Sequence, residues 1–353
     1  MSFYTVLSAS VKGMDVEFTK VEADVGNGLP VFHMVGYLSS EVKEASERVK
    51  TAVKNTGFNL PAKKITINLS PAGVRKRGNG FDLPIAVAVL AAFGMIPVSR
   101  LENILIVGEL GLDGTVHPVD GILPIVEEAA QKGIRSCMIP VDNYNEGNLV
   151  KGIHVIGVKN LSDVFLWLKG GSIKQEGKKK FLKNDKHEPG HVSIDYSDIK
   201  GQEAVIRATL VAVAGNHNLL YIGPPGTGKT MMAKRIPTIL PDLTEEESLE
   251  VTKIYSIAGM VEQESPLITK RPFREVNHTT SRAAIIGGGR YPALGEITLA
   301  HRGILFLDEL AEFNGNVLDA LREPLEEKKV LLIRQKGSCT YPADCMVVAA
   351  TNP

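Results

Sequence analysis

The stretch Gly223-Pro-Pro-Gly-Thr-Gly-Lys-Thr230 follows an apolar run, Leu219–Ile222, and leads into Met231-Met-Ala-Lys-Arg235. Its spacing is that of a phosphate-binding loop set between a strand and a helix. Gly223, Gly226 and Gly228, interleaved with Pro224, Pro225 and Thr227, let successive backbone N–H groups wrap a polyphosphate. The helix behind the loop aims its positive end at the same charge. Lys229 is expected to contact the β- and γ-phosphates, and Thr230 to ligate Mg²⁺. The implied ligands are ATP and Mg²⁺.

A second signal is Ile304-Leu-Phe-Leu-Asp308-Glu309, four apolar residues closing on two acids. Behind a phosphate loop, an acid in this place holds the metal ion, which assigns Asp308 as a Mg²⁺ ligand. Glu309 is then the general base that polarises the attacking water. The competing reading is a pair of surface acids opening a helix, where they would suit its dipole. A third run, Met346-Val-Val-Ala-Ala-Thr-Asn352-Pro, predicts a strand beside the other two in a parallel sheet. It would carry Asn352 to the γ-phosphate to orient the water. An Asn-Pro turn is the alternative. Ahead of the loop, Ser197-Asp198 and Gly201-Gln202 fall where a segment commonly lines the adenine pocket.

The elements that must hold these residues fall into two blocks. The chain has 353 residues, 44% hydrophobic and 23% charged, an ordinary globular profile. Forty basic residues balance 40 acidic ones, so no global field argues for nucleic acid, though a local basic surface remains open. Cys137, Cys339 and Cys345 show no CxxC spacing, which points to free thiols rather than a zinc site or disulfides. The N-terminus lacks the basic start and apolar core of a signal peptide. The run Leu83–Pro97 is too short to span a bilayer and reads as a buried helix. The expected protein is cytoplasmic, with no membrane contact.

Residues 1–168 read as mixed α/β. Lys63–Pro71 and Asn103–Leu110 are strand-like, and Ser39–Gly57 is an amphipathic helix with Ser at its start and Gly57 at its end. Gly121–Gly133 predicts another helix, and Ser162–Gly170 a short closing one. Residues 169–192 are dominated by Gly and Lys and predict a flexible tether, whose lysines could alternatively touch nucleic acid. Residues 193–353 resume α/β character and carry every motif above.

The three motifs, in this order, resemble an AAA+ ATPase. Arg271–Gly289, Leu294–Phe313 and Leu321–Gln335 look like its magnesium-chelatase-type branch. With the N-terminal block included, the whole chain apart from the tether resembles the YifB/ComM family. The resemblance implies a partial P-loop AAA+ αβα core with a parallel sheet behind a ChlI-type, Lon-protease-like α/β domain. It also implies self-association into a hexamer and action on DNA in branch migration during natural transformation. A chelatase-like ATPase that remodels a protein partner is the alternative, and a fragment that binds ATP without turning it over is a third. One departure is Val276-Asn277-His278, where the family usually has Pro-His-His before the threonine.

Lon uses a Ser–Lys dyad. By resemblance Gly80 stands at the serine's position and Leu123 at the lysine's, so that chemistry is lost here. A rearranged dyad using Ser70 and a nearby lysine is the competing possibility. In the family pattern a fifth strand, an arginine finger and a helical lid follow the strand of Asn352. The expectation is therefore a truncated motor that binds ATP, hydrolyses it poorly and folds marginally in its C-terminal half. Arg322 and Arg334 lie within the core and could act across a subunit interface, although Arg322 also suits a surface ion pair. The loop Gly287–Arg290 could enter a central pore or be an ordinary loop.

Overall fold

The structure is a computed structural model that describes residues 3–173, 195–288, 293–334 and 337–353. Most of the Gly/Lys-rich segment, together with Gly289 and Arg290, lies outside these residues. The chain divides into two compact units, Met1–Lys179 with Gly259–Pro266, and Lys180–Ala258 with Leu267–Pro353.

The first unit is built on a seven-stranded mixed sheet. Its strands β1 (Phe3–Lys12) and β2 (Asp15–Gly26) form a long antiparallel hairpin, paired from Phe3↔Asp24 to Lys12↔Asp15 and turning through Gly13 at φ 66°. Strand β3 (Val31–Val35) leads into α1 (Ser40–Asn55) and then β4 (Lys64–Ser70). Ser39 caps α1 by accepting from the Val42 amide, and Val42, Ala45, Val49, Ala52 and Val53 make its buried stripe. Helix α2 (Asp82–Ala92) is apolar on every side, and every one of its residues is buried. An all-round apolar helix is stable only inside a core, which is where the sequence placed it.

The run Asn103–Leu110 reads as one strand but is two: β5 (Ile104–Ile106) and β6 (Glu109–Leu110). Gly108 breaks it. Its carbonyl accepts from Leu83 N at 2.9 Å and its amide donates to Gly80 O at 3.0 Å, so the chain leaves the sheet to bind the start of α2. A Cβ at Gly108 would stand 3.0 Å from Leu83 Cδ2 and from Val116 Cγ1, so any side chain there would have to push these neighbours back. β6 pairs instead with β7 (Val116–His117). The unit continues through α3 (Ile122–Gln131), β8 (Ser136–Pro140), α4 (Tyr144–Gly147), β9 (His154–Val158) and α5 (Leu161–Leu168). The strand order is β3-β4-β2-β1-β5-β8-β9.

The second unit opens with α6 (Glu203–Ala214), β10 (Leu219–Ile222) and α7 (Lys229–Arg235). Helix α8 (Glu245–Ile257) starts at a reciprocal cap between Thr244 and Glu247. There follow β11 (Phe273–Val276), α9 (Arg282–Ile286), the short pair β12 (Gly287–Gly288) and β13 (Ala293–Leu294), α10 (Glu296–Leu299) and β14 (Ile304–Leu307). Helix α11 (Gly315–Glu327) precedes a hairpin of β15 (Lys329–Arg334) and β16 (Gly337–Pro342), and β17 (Met346–Thr351) closes the chain.

The main sheet has the order β10-β17-β14-β11, and all its pairings are parallel. Strands β14 and β17 are buried almost throughout, as near-continuous apolar runs in a parallel sheet should be. Gly303, just before β14, touches the Pro272 backbone so closely that any side chain would collide with it. The register pairs Ile222 with Thr351, and Leu307 with both Ala349 and Val276. All four strands therefore finish on one side of the unit. The residues that follow them are Gly223, Asn352, Asp308 and Asn277. Ligands of open parallel sheets bind outside such carboxyl ends.

Candidate active site

The loop after β10 is shaped by its glycines. Gly226 and Gly228 hold φ of 80° and 84°, a region that side-chain-bearing residues rarely enter. Thr227 Oγ1 folds back onto the Pro224 carbonyl at 2.9 Å, and Gln202 Nε2 donates to the Thr227 carbonyl at 2.9 Å. Gly223 N donates to Thr351 O at 3.3 Å, tying the loop's first residue to the end of β17. Lys229 Nζ donates to Gly223 O at 2.7 Å, Pro224 O at 3.0 Å and Asn352 Oδ1 at 3.1 Å. The lysine that sequence assigns to phosphate thus lies across the loop, beside the asparagine that sequence assigns to the same phosphate.

Thr230 Oγ1 donates to Asp308 Oδ2 at 3.0 Å, bridging the first turn of α7 and the end of β14. A hydroxyl and a carboxylate at this separation are hard oxygen donors of the kind Mg²⁺ takes, and the two residues fit that ion. The other carboxylate oxygen of Asp308 accepts from the Glu309 amide at 3.0 Å. Glu309 has φ 55°, an uncommon conformation for a residue with a side chain. Strain of this sort gathers where structure over-determines a functional residue. Its carboxylate is more than half exposed and lies 3.1 Å from His278 Nδ1. The loop that departs from the family pattern at Val276-Asn277-His278 therefore still delivers an imidazole to the acid.

Lys229, Thr230, Asp308, Glu309 and Asn352 come together from three separate segments. Two neighbours have contacts that the sequence does not announce. His278 follows a strand parallel to β14, and that placement is the signal that marks it. Gln202 belongs to the segment expected near the adenine, and its amide also grips the phosphate loop; its φ of 56° beside Gly201 at 73° is the turn that aims it there. Arg322 pairs with Glu326 at 3.2 Å and its side chain is highly exposed, matching the surface-pair alternative. The Arg334 side chain lies outside the described residues.

In the first unit, Gly80 and Leu123 supply neither nucleophile nor base. A Cβ at Gly80 would meet Val107 Cγ1 at 3.0 Å. Leu123 is buried and its amide donates to Glu146 Oε1 at 3.0 Å, while Asn143 binds Val119 N at 2.9 Å and Glu146 Oε2 at 3.0 Å. A fixed polar network thus secures the turn that enters α3. Ser70 Oγ is held by Glu22 Oε1 at 3.2 Å. Lys76 is fully buried, donates to the carbonyls of Pro71 and Val74, and is pushed below the ordinary lysine value by burial. Asp82 at the head of α2 is gripped by Arg48 at 2.7 and 3.0 Å, yet burial pushes its carboxyl up.

Residues 195–353 match the family model described as magnesium chelatase, subunit ChlI, and residues 21–143 match the model described as subunit ChlI of Mg-chelatase. The uncharacterized protein YifB of Escherichia coli is 42% identical over 353 residues, covering 100% of this chain and 68% of the relative. Competence protein ComM of Haemophilus influenzae is 40% identical over 355 residues, covering 100% of this chain and 69% of the relative. Lon protease 2 of Bacillus subtilis is 26% identical over 175 residues, 46% of this chain and 31% of that protein. The two family models thus fall on separate stretches of the chain, 21–143 and 195–353.

Proposed function

Because the chain belongs to the YifB/ComM family of magnesium-chelatase-type AAA+ proteins, we propose that it works as an ATP-driven motor on DNA. It would act as one protomer of a hexameric ring, in the cytoplasm, in branch migration during natural transformation. Loop 223–230 binds the triphosphate through backbone amides and Lys229. Thr230 and Asp308 would hold Mg²⁺, which would supply charge to neutralise the phosphate oxygens. Glu309 takes the proton of the attacking water, and Asn352 orients that water. His278 steadies the carboxylate of Glu309, and Gln202 steadies the loop.

The observation that supports the ATPase part of this reading is the convergence of Lys229 on Asn352 and of Thr230 on Asp308, at 3.1 and 3.0 Å; the DNA and hexamer parts rest on the family likeness. The first unit is proposed to be a protease fold without protease chemistry, retained for contacts. Its Lon-like character supports the second reading, a chelatase-like ATPase that remodels a protein partner.

Steady-state Mg·ATP turnover, with and without branched DNA and with Lys229→Ala as blank, tests the proposal. Turnover raised by branched DNA supports the DNA motor. Turnover indifferent to DNA, with one stable protein partner in pull-downs, supports the remodelling ATPase. Turnover no higher than the blank, with nucleotide still bound, supports the third reading, a chain that binds ATP without turning it over; loss of nucleotide binding as well removes the ATPase assignment from these residues.

A further inference from the structure

The first unit carries a groove remote in sequence from its degenerate protease positions. It lies between the start of β3, the C-terminal half of α1 and the segment that precedes β4. Its volume is about 600 Å³, and Phe32, Phe58, Leu60, Lys50, Lys54 and Lys63 are among its walls. A space of this size accepts one or two large side chains. Apolar Phe32, Phe58, Leu60 and Ile65 share its walls with three lysines. Glu47 answers one of them, pairing with Lys50 at 2.8 Å.

β3 is the terminal strand of its sheet and is paired only with β4 among the described residues. Leu29 and Val31 beside the groove are 87% and 50% exposed. An edge strand with outward apolar residues is a template for a further strand. The two rings are less suited to stacked bases. Lys50 Nζ sits 5.4 Å from the Phe32 ring centroid, and Phe58 packs edge-on against Phe165 at 4.9 Å.

We infer that this groove docks an extended, acidic segment of a partner protein, which pairs with β3, sinks large apolar side chains between Phe32 and Leu60, and sets its carboxylates against Lys54 and Lys63. Strand addition supplies the backbone bonds, and the apolar and cationic sites supply selectivity.

The probe is a fluorescein-labelled peptide alternating Leu with Glu, titrated by anisotropy against the whole chain without nucleotide. Saturable binding is expected, weakening as sodium chloride rises. The doubly reversed variant Lys54→Glu/Lys63→Glu should weaken it about tenfold or more, with an unchanged unfolding midpoint showing that the fold is intact. Leu60→Ser should weaken it without altering the salt dependence. A peptide with Ser in place of Leu should not bind. Failure to saturate, or equal affinity in the charge-reversed variant, overturns the inference. Displacement of the peptide by a single-stranded oligonucleotide that binds more tightly through the same lysines would also overturn it, in favour of a nucleic-acid surface. None of these readouts requires ATP turnover.

Discussion

Lys229 Nζ and Asn352 Oδ1 lie 3.1 Å apart although 123 positions separate them in sequence. The contact exists because β10 and β17 are neighbours in register, so the residues that follow them leave the sheet together. With the carbonyls of Gly223 and Pro224, Asn352 occupies the three donors an ammonium has. The two side chains should separate in their effects. Lys229→Ala should weaken binding of a fluorescent ATP analogue roughly 100-fold, since a charge-assisted contact to phosphate is lost. Asn352→Ala should leave that affinity within about threefold and reduce phosphate release about 10- to 100-fold. Parallel losses of binding and turnover in both variants would contradict this division.

Glu309→Gln should bind nucleotide as the parent does and lose about 10²- to 10³-fold in turnover, because the amide cannot accept the water's proton. His278→Ala should lower turnover about tenfold at unchanged nucleotide affinity, through loss of the partner 3.1 Å from the carboxylate. Filter binding and single-turnover phosphate release measure the two quantities separately.

Gln202→Ala removes the donor to the Thr227 carbonyl and leaves a side chain at φ 56°. Nucleotide affinity should fall about five- to tenfold, the worth of one hydrogen bond. Gln202→Gly removes the same donor but suits the backbone angle, so it should show the same affinity loss with a higher unfolding midpoint than the alanine variant.

Acid should weaken the second unit through His301. Burial holds its imidazole below the ordinary value, against the upward pull of the Glu250 carboxylate 3.1 Å away. In the unfolded chain a histidine titrates near about 6.5. As pH falls, the unfolded chain therefore takes up this proton before the folded one does. The stability is complete above about pH 6.5 and is lost as pH falls through the lower folded value. The unfolding midpoint should drop over that interval, and His301→Gln should flatten the profile there.

Much of the site was legible because its chemistry is carried by short motifs whose spacing is local. The loop 223–230, the acids after Ile304–Leu307 and the asparagine after Met346–Ala350 each follow an apolar run, so residue type and element could be read together. α2 was legible for a related reason: no polar face interrupts it. What was not legible depends on pairing across distance. The split of Asn103–Leu110 arises from Gly108 binding the head of α2, and nothing within the run announces that partner. His278 meets Glu309, and Gln202 meets Thr227, through sheet register and a left-handed turn, neither of which has a local periodicity.

Gly80 and Leu123 also show how packing selects what a position can hold. A serine at position 80 would bring its Cβ to 3.0 Å from Val107 Cγ1, and a lysine at position 123 would have to displace a buried leucine from a turn already fastened by Asn143 and Glu146. Each polar substitution would have to move neighbours that are already in place, so the interior of the first unit acts as a filter on side-chain size and charge at these two points.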